Sequence, residues 1–180
     1  MPPPTLTTVR DRLAWAYANL ACAHAALNDG RTKHVTTDWM IRAKLFKGLR
    51  TGAMTLGSLV DDEREALNEQ PRCAYCDVSG RLSLDHLVPR AAGGWDAHNL
   101  VRACRPCNSS KSDTDLMVWH LRLKRFPRLL VLRRYLKIVG LVCETAGVLD
   151  QPIDDADLAK LPFNLDTLPV TFPALSELRI

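Results

Sequence analysis

Cys73-Ala-Tyr-Cys76 and Cys104-Arg-Pro-Cys107 stand 27 residues apart in a chain of 180. No other feature narrows the fold as far. A CxxC turn sets two thiolates on one metal at about 2.3 Å, and two such turns close a tetrahedral site. Four soft ligands with no open position make that site structural rather than catalytic, and they point to zinc. The competing readings are a redox CxxC and unligated thiols, and two matched pairs weigh against both. The link between the pairs is longer than in a compact zinc ribbon, so it holds folded structure of its own. The metal then clamps both ends of a module too small to build a core alone.

On either side of this module the pattern is helical. Apolar residues recur at helical spacing from Leu6 to Leu27, and the Asn-Asp-Gly at 28–30 ends that helix. Residues 36–50 predict a second helix with Thr36 or Thr37 as N-cap and Asp38 in its first turn. Ser58 opens a third, acidic helix that runs to Gln70 and stops at Pro71. From Asp113 to about Ala146 the pattern is helical again, with a break at Pro127. The tail from 150 to 180 is too Pro-rich for a long helix and is expected as an extended segment that packs on the body or binds a partner. The expected organisation is therefore a helical region (1–71), a compact module (72–114), basic helices (115–149) and an extended tail (150–180). The fold class is α+β, mostly helical.

Composition sets outer limits. Hydrophobic content of 47% is that of a globular protein, and the net charge of +4 is only a mild bias toward anionic partners. No apolar run is long enough to cross a bilayer, and the start lacks the pattern of a secretory signal, so a cytoplasmic protein is expected. Cys22 and Cys143 stand alone in apolar surroundings and read as buried free thiols.

Within the module, the stretch RLSLDHL alternates in strand fashion and carries Asp85 beside His86. A neutral imidazole takes a proton from water at neutral pH, which makes His86 a candidate general base. Asp85 and Asn108 offer hard oxygen ligands suited to Mg²⁺ or Mn²⁺. Neighbours on a strand face opposite ways, so Asp85 and His86 aim at one point only where the strand ends or bends, as Pro89 and Gly93-Gly94 allow. Asn99 is a candidate to fix the main chain around His86. Taken singly each residue has a plainer reading: a surface Asp-His pair, a turn asparagine at 99, a helix cap at 108.

The elements CAYC, DHLVP, GG, NL and CRPCNSSK occur here in that order. In this the stretch from Cys73 to Lys111 resembles the zinc-stabilised branch of the HNH endonuclease family. The resemblance covers about 40 residues and implies a ββα-metal fold, a hairpin and a helix gripping one divalent ion. It implies His86 as general base, Asp85 and Asn108 as ligands of a catalytic Mg²⁺ or Mn²⁺, and Asn99 as the residue that positions His86. It implies Cys73, Cys76, Cys104 and Cys107 as ligands of a structural Zn²⁺, and Lys111 as a phosphate contact. The last position of the family's name is Asn108 here, which favours a hard ion. His98 takes no role from the resemblance.

No acid occurs between Leu116 and Cys143, where Arg122, Lys124, Arg125, Arg128, Arg133, Arg134 and Lys137 alternate with leucines. Together with Lys111 these predict a phosphate-contacting surface, against the plainer reading of a solvated helix face. Trp95 either touches substrate or covers the hairpin.

The leading expectation is a metal-dependent endonuclease acting on double-stranded DNA and nicking it as a monomer. The alternatives are a non-catalytic zinc module that binds nucleic acid or protein, an RNA-cleaving relative, and a partner-dependent nuclease subunit. A homodimer or a protein partner would use the N-terminal helices or the tail. Phage packaging, restriction, anti-phage defence and mobile elements all use such domains, and the sequence does not choose among them.

Overall fold

The computed structural model describes residues 3–56, 71–89 and 96–180. The expected acidic helix from Ser58 to Gln70, Gly93-Gly94 and Trp95 lie outside the described residues. Helix α1 spans Val9–Asn28. It starts later than the apolar spacing predicts because Thr8 caps it, accepting from the Asp11 N–H at 3.1 Å. Helix α2 spans Thr36–Arg50 and packs on α1. Its N-cap is Val35 rather than Thr36 or Thr37. Asp38, fully buried, reaches back to the Val35 N–H at 2.9 Å and takes Arg31 at 2.5 Å.

The module then forms strand β1 (Leu82–His86), a single helical turn α3 (Asp96–Asn99), strand β2 (Leu100–Cys104) and helix α4 (Arg105–Lys111). The strands are antiparallel, with Ser83 opposite Ala103, Asp85 opposite Val101 and His86 opposite Leu100. Helix α5 (Leu116–Arg122) and helix α6 (Leu129–Thr145) follow, separated by a break around Pro127. Asp115 caps α5 by accepting from the Met117 and Val118 N–H groups, and its other oxygen accepts from the Tyr135 hydroxyl at 2.8 Å. The tail holds three short 3₁₀ turns, at Ala156–Lys160, Leu165–Thr167 and Leu175–Glu177.

The main apolar core joins α1, the hairpin, α5, α6 and the tail, with a smaller cluster of Ala23, Ala26, Leu129, Leu175 and Leu178 beside it. Helix α6 lies within the main core, with Val131, Leu132, Tyr135, Leu136 and Val139 completely buried. Against them pack Val9, Leu13, Ala16 and Leu20 of α1, Leu87, Val88, Val101 and Ala103 of the hairpin, and Leu116 of α5. The tail supplies Phe163, Leu165 and Leu168 to the same core. It is bolted to α1 by Arg12, which donates to the Asp166 and Leu168 carbonyls, and by the Trp15 indole N–H on the Val170 carbonyl at 2.8 Å.

This placement overturns part of the expected basic surface. Arg134 and Lys137 are buried, because α6 is enclosed on nearly every side. Lys111 is buried too, at 1% exposure, so it does not stand on a phosphate-facing surface. Arg122, Lys124 and Arg125 are exposed. Arg128 is half-buried and held by the Ile180 carbonyl and Asp77, and Arg133 is half-buried. The run of positive charge in the sequence therefore does not form one face.

Candidate functional site

The cysteines come from two turns that the hairpin brings together. Cys73 and Cys76 sit on a knuckle that is fastened to β2, the Ala74 N–H donating to the Arg102 carbonyl at 2.8 Å. Cys104 ends β2 and is the N-cap of α4, and Cys107 lies in the first turn of that helix. The four sulfurs all lie within 4.8 Å of one another, and the Cys76 and Cys104 Sγ atoms are 3.7 Å apart. A tetrahedron with metal–sulfur bonds of 2.3 Å has edges of about 3.8 Å, so the cage has the size zinc requires. Burial and the neighbouring thiols push the Cys107 thiol up. At Cys73 burial also raises the pKa, but main-chain hydrogen bonds at Cys104, Cys76 and Tyr75 outweigh it and the net direction is down. Packing four such groups so closely favours a bound cation that neutralises them together.

Beside the cage lies the polar end of the hairpin. Ser83 and Asp85 share a face of β1 by the two-residue period, and His86 closes the strand. Asp85 is buried at 6% exposure. Its Oδ2 accepts from the Tyr75 hydroxyl at 2.7 Å and faces the Lys111 ammonium at 3.5 Å, while its Oδ1 accepts from the His86 N–H at 2.9 Å. Lys111 also donates to the His86 carbonyl. Burial lowers the Lys111 pKa, and Asp85 partly offsets it. The lysine thus grips the end of β1 from inside.

Asn99 makes a reciprocal pair with the main chain of one residue, Val88. Its Oδ1 accepts from the Val88 N–H at 2.9 Å and its Nδ2 donates to the Val88 carbonyl at 2.7 Å. The Leu87 N–H donates to the Asn99 carbonyl at 3.0 Å, so the two residues after His86 are fixed on both sides. Asn108 is not a helix cap. It lies inside α4 and donates to Ser83 Oγ at 2.8 Å, which sets its amide against the strand face that carries Asp85. His98, without a role in the sequence reading, receives the Arg134 guanidinium on its carbonyl at 2.8 Å and on Nδ1 at 2.9 Å.

Two contributors, Tyr75 and Ser83, were not singled out from the sequence, and a third, Arg134, was expected on the phosphate-contacting surface. Tyr75 sits inside the first CxxC, and a hydroxyl on the knuckle was the available signal. Ser83 stands two residues before Asp85, on the same strand face by simple alternation. Arg134 gave no sign of its partner 36 positions away.

Residues 73–116 match the family model described as HNH endonuclease. That segment belongs to the HNH endonuclease family. The chain is also 42% identical over 53 residues to the CRISPR-associated endonuclease Cas9 of Corynebacterium diphtheriae, covering 27% of this chain and 5% of that protein. It is 42% identical over 52 residues to the CRISPR-associated endonuclease Cas9 of Actinomyces naeslundii, covering 26% of this chain and 5% of that one. The chain thus spans about one twentieth of the length of these curated relatives. No solved structure matches. The HNH module is a two-stranded hairpin with a following helix and a four-cysteine cluster, a small ββα unit within a mostly helical α+β chain. No described helix is long and apolar enough to cross a membrane.

Proposed function

We propose that the protein is a metal-dependent DNA endonuclease that nicks one strand per event, with His86 as general base. The observation that carries this reading is the set around β1. An acid, an imidazole and an amide from three positions in the HNH module meet one short strand, with Asn99 and Lys111 fixing its end. A module that only bound nucleic acid would not need a base beside two oxygen ligands.

Asp85 and Asn108 would hold the divalent ion. Among the described residues Asp85 Oδ1 takes only the His86 N–H and keeps acceptor capacity, and Asn108 supplies a neutral oxygen. Such oxygen donors suit Mg²⁺ or Mn²⁺. When bound, that ion neutralises charge on the scissile phosphate and the leaving oxygen. His86 removes a proton from the attacking water, and Asn99 keeps the main chain behind the imidazole from shifting. Tyr75 and Lys111 hold the Asp85 carboxylate in place. The four cysteines would keep zinc as a structural clamp and take no part in the chemistry.

Purified protein is expected to convert supercoiled plasmid to open circle with Mg²⁺ or Mn²⁺. His86→Ala is expected to lower the rate by a hundredfold or more, with zinc content and melting unchanged. Cleavage by that variant at the parent rate removes His86 from the role of base. Of the exposed basic residues, Arg122, Lys124 and Arg125 remain candidates for phosphate contact. Cleavage of RNA but not of DNA would support the alternative of an RNA-cleaving relative.

A further inference from the structure

Helix α6 buries an arginine in the middle of the apolar core. Arg134 is 2% exposed, and Val131, Leu132, Tyr135, Ile138 and Val139 around it on the same helix are at most 1% exposed. Taking a guanidinium out of water is costly, and a leucine or methionine of similar size would pack there at less cost. Stability alone therefore does not account for Arg134. Residues 73–116 match the HNH family, so Arg134 also lies outside that segment. Its role is legible in where its donors go.

Nε and Nη2 form one flat edge of the guanidinium. Both donate to a single residue 36 positions away, Nε to the His98 carbonyl at 2.8 Å and Nη2 to His98 Nδ1 at 2.9 Å. An arginine only donates, so Nδ1 accepts, and the neutral ring carries its proton on Nε2. Because the edge is rigid, the carbonyl and the ring are held in one fixed relation, and the turn α3 cannot rotate beneath the helix. His98 is the residue before Asn99, and Asn99 holds the chain beyond His86. Its side chain takes both main-chain groups of Val88, and its carbonyl accepts the Leu87 N–H. The path from α6 to the imidazole runs through Arg134, His98, Asn99, then Val88 and Leu87, to His86. Each step is a peptide bond or a hydrogen bond of 3.0 Å or less.

We propose that Arg134 is a positioning residue for His86: its two-donor edge on His98 fixes Asn99, and through Asn99 the main chain that aims the imidazole. The role of His86 as base rests on the nuclease reading. The clamp itself does not, and the test reads the two apart.

The test compares the full zinc-loaded chain with Arg134→Lys, which keeps the charge but loses the flat edge. A second variant, His98→Ala, removes the Nδ1 acceptor at a half-buried position and spares the core. Plasmid nicking with Mn²⁺ gives kcat and KM, and amide hydrogen exchange followed by NMR gives the protection of single N–H groups. Arg134→Lys is expected to lower kcat about tenfold with KM within about twofold, since the groups that meet substrate stay and only their aim changes. The Mn²⁺ concentration for half-maximal rate stays as in the parent. The Leu87 and Val88 amides are expected to exchange about tenfold faster. Ala74, whose N–H is bonded to the Arg102 carbonyl, keeps its rate. His98→Ala shows the same pattern to a smaller extent, because the carbonyl bond remains, and it carries the comparison if Arg134→Lys does not fold.

A lowered melting temperature with the parent kcat overturns the proposal and leaves Arg134 a packing residue. Faster exchange spread evenly over Ala74 and the rest does the same. A raised KM with kcat kept also overturns it, by moving Arg134 to substrate binding. A parent protein that never nicks plasmid sinks the nuclease reading. Selective exchange at Leu87 and Val88 then keeps the clamp, and uniform exchange removes it. Nicking by the parent together with variants that keep its kcat leaves the nuclease reading standing and overturns the proposal.

Discussion

Tyr75 is the residue through which the cysteine knuckle reaches Asp85. Its ring packs edge-on to Trp119 at 5.0 Å, and its hydroxyl holds Asp85 at 2.7 Å. Removing only the oxygen separates these two jobs. Tyr75→Phe is expected to keep zinc content and melting temperature while lowering the cleavage rate about tenfold. It should also raise the Mn²⁺ concentration needed for half-maximal rate. A Mn²⁺ titration of plasmid nicking reads both, and an unchanged titration reduces Tyr75 to a packing residue. Asp85 and His86 were legible in the sequence because they are adjacent and lie between the CxxC pairs. The Tyr75 contact was not legible, because it exists only once the knuckle folds over β1. Lys111 misled for a related reason: a charged side chain reads as exposed unless its buried partner is known, and here that partner is Asp85.

At the scale of elements, the hairpin is short and its stability comes from what closes its ends. Cys104 illustrates this, being at once the last residue of β2, the N-cap position of α4 and a cage ligand. Cys104→Ser is expected to lose zinc and to lower the melting temperature by 10 °C or more, since the strand, the helix start and the clamp fail together. Scanning calorimetry with a parallel zinc assay checks it. Loss of zinc without loss of stability would mean that packing against α6 suffices. Helices α1 and α2 and strand β1 could be read from periodicity, though not the residues that cap the helices at their starts. The orientation of α6 could not. Its basic residues are evenly spaced, but counting charge along a chain says nothing about which way a helix faces. Arg134 turns inward onto His98, 36 positions away, and Lys137 is buried with it, which nothing in their own sequence window announces.

At the scale of the whole molecule, α1, the hairpin, α5, α6 and the tail share one main core, so local titration becomes global stability. His120 is 5% exposed and packs against the rings of Trp119 and Tyr75. Burial pushes its pKa down to about 4. The unfolded chain therefore takes up the proton first, near pH 6.5. The stabilisation is complete above that pH and is lost as pH falls toward 4, by on the order of 3 kcal/mol. For a fold of ordinary marginal stability this is a large share. Unfolding in guanidinium at pH 7, 6 and 5 should show the decline, and His120→Phe should flatten it. Acid release of zinc adds to the decline in both proteins, so the difference between the two curves isolates the imidazole. Equal slopes would remove His120 from the account.

The shared core also bears on how an HNH module is inherited. A segment cut out at 72 and 114 would carry the cysteine cage and the hairpin but leave Leu87, Val88, Val101 and Ala103 without α6 and α1 to cover them. Grafted onto another host, it would need a replacement scaffold with a matching apolar face and an arginine able to grasp His98. A gene rearrangement that moved the motif alone would deliver an insoluble fragment. Exchange between chains is then expected to have carried the central helix along with the hairpin.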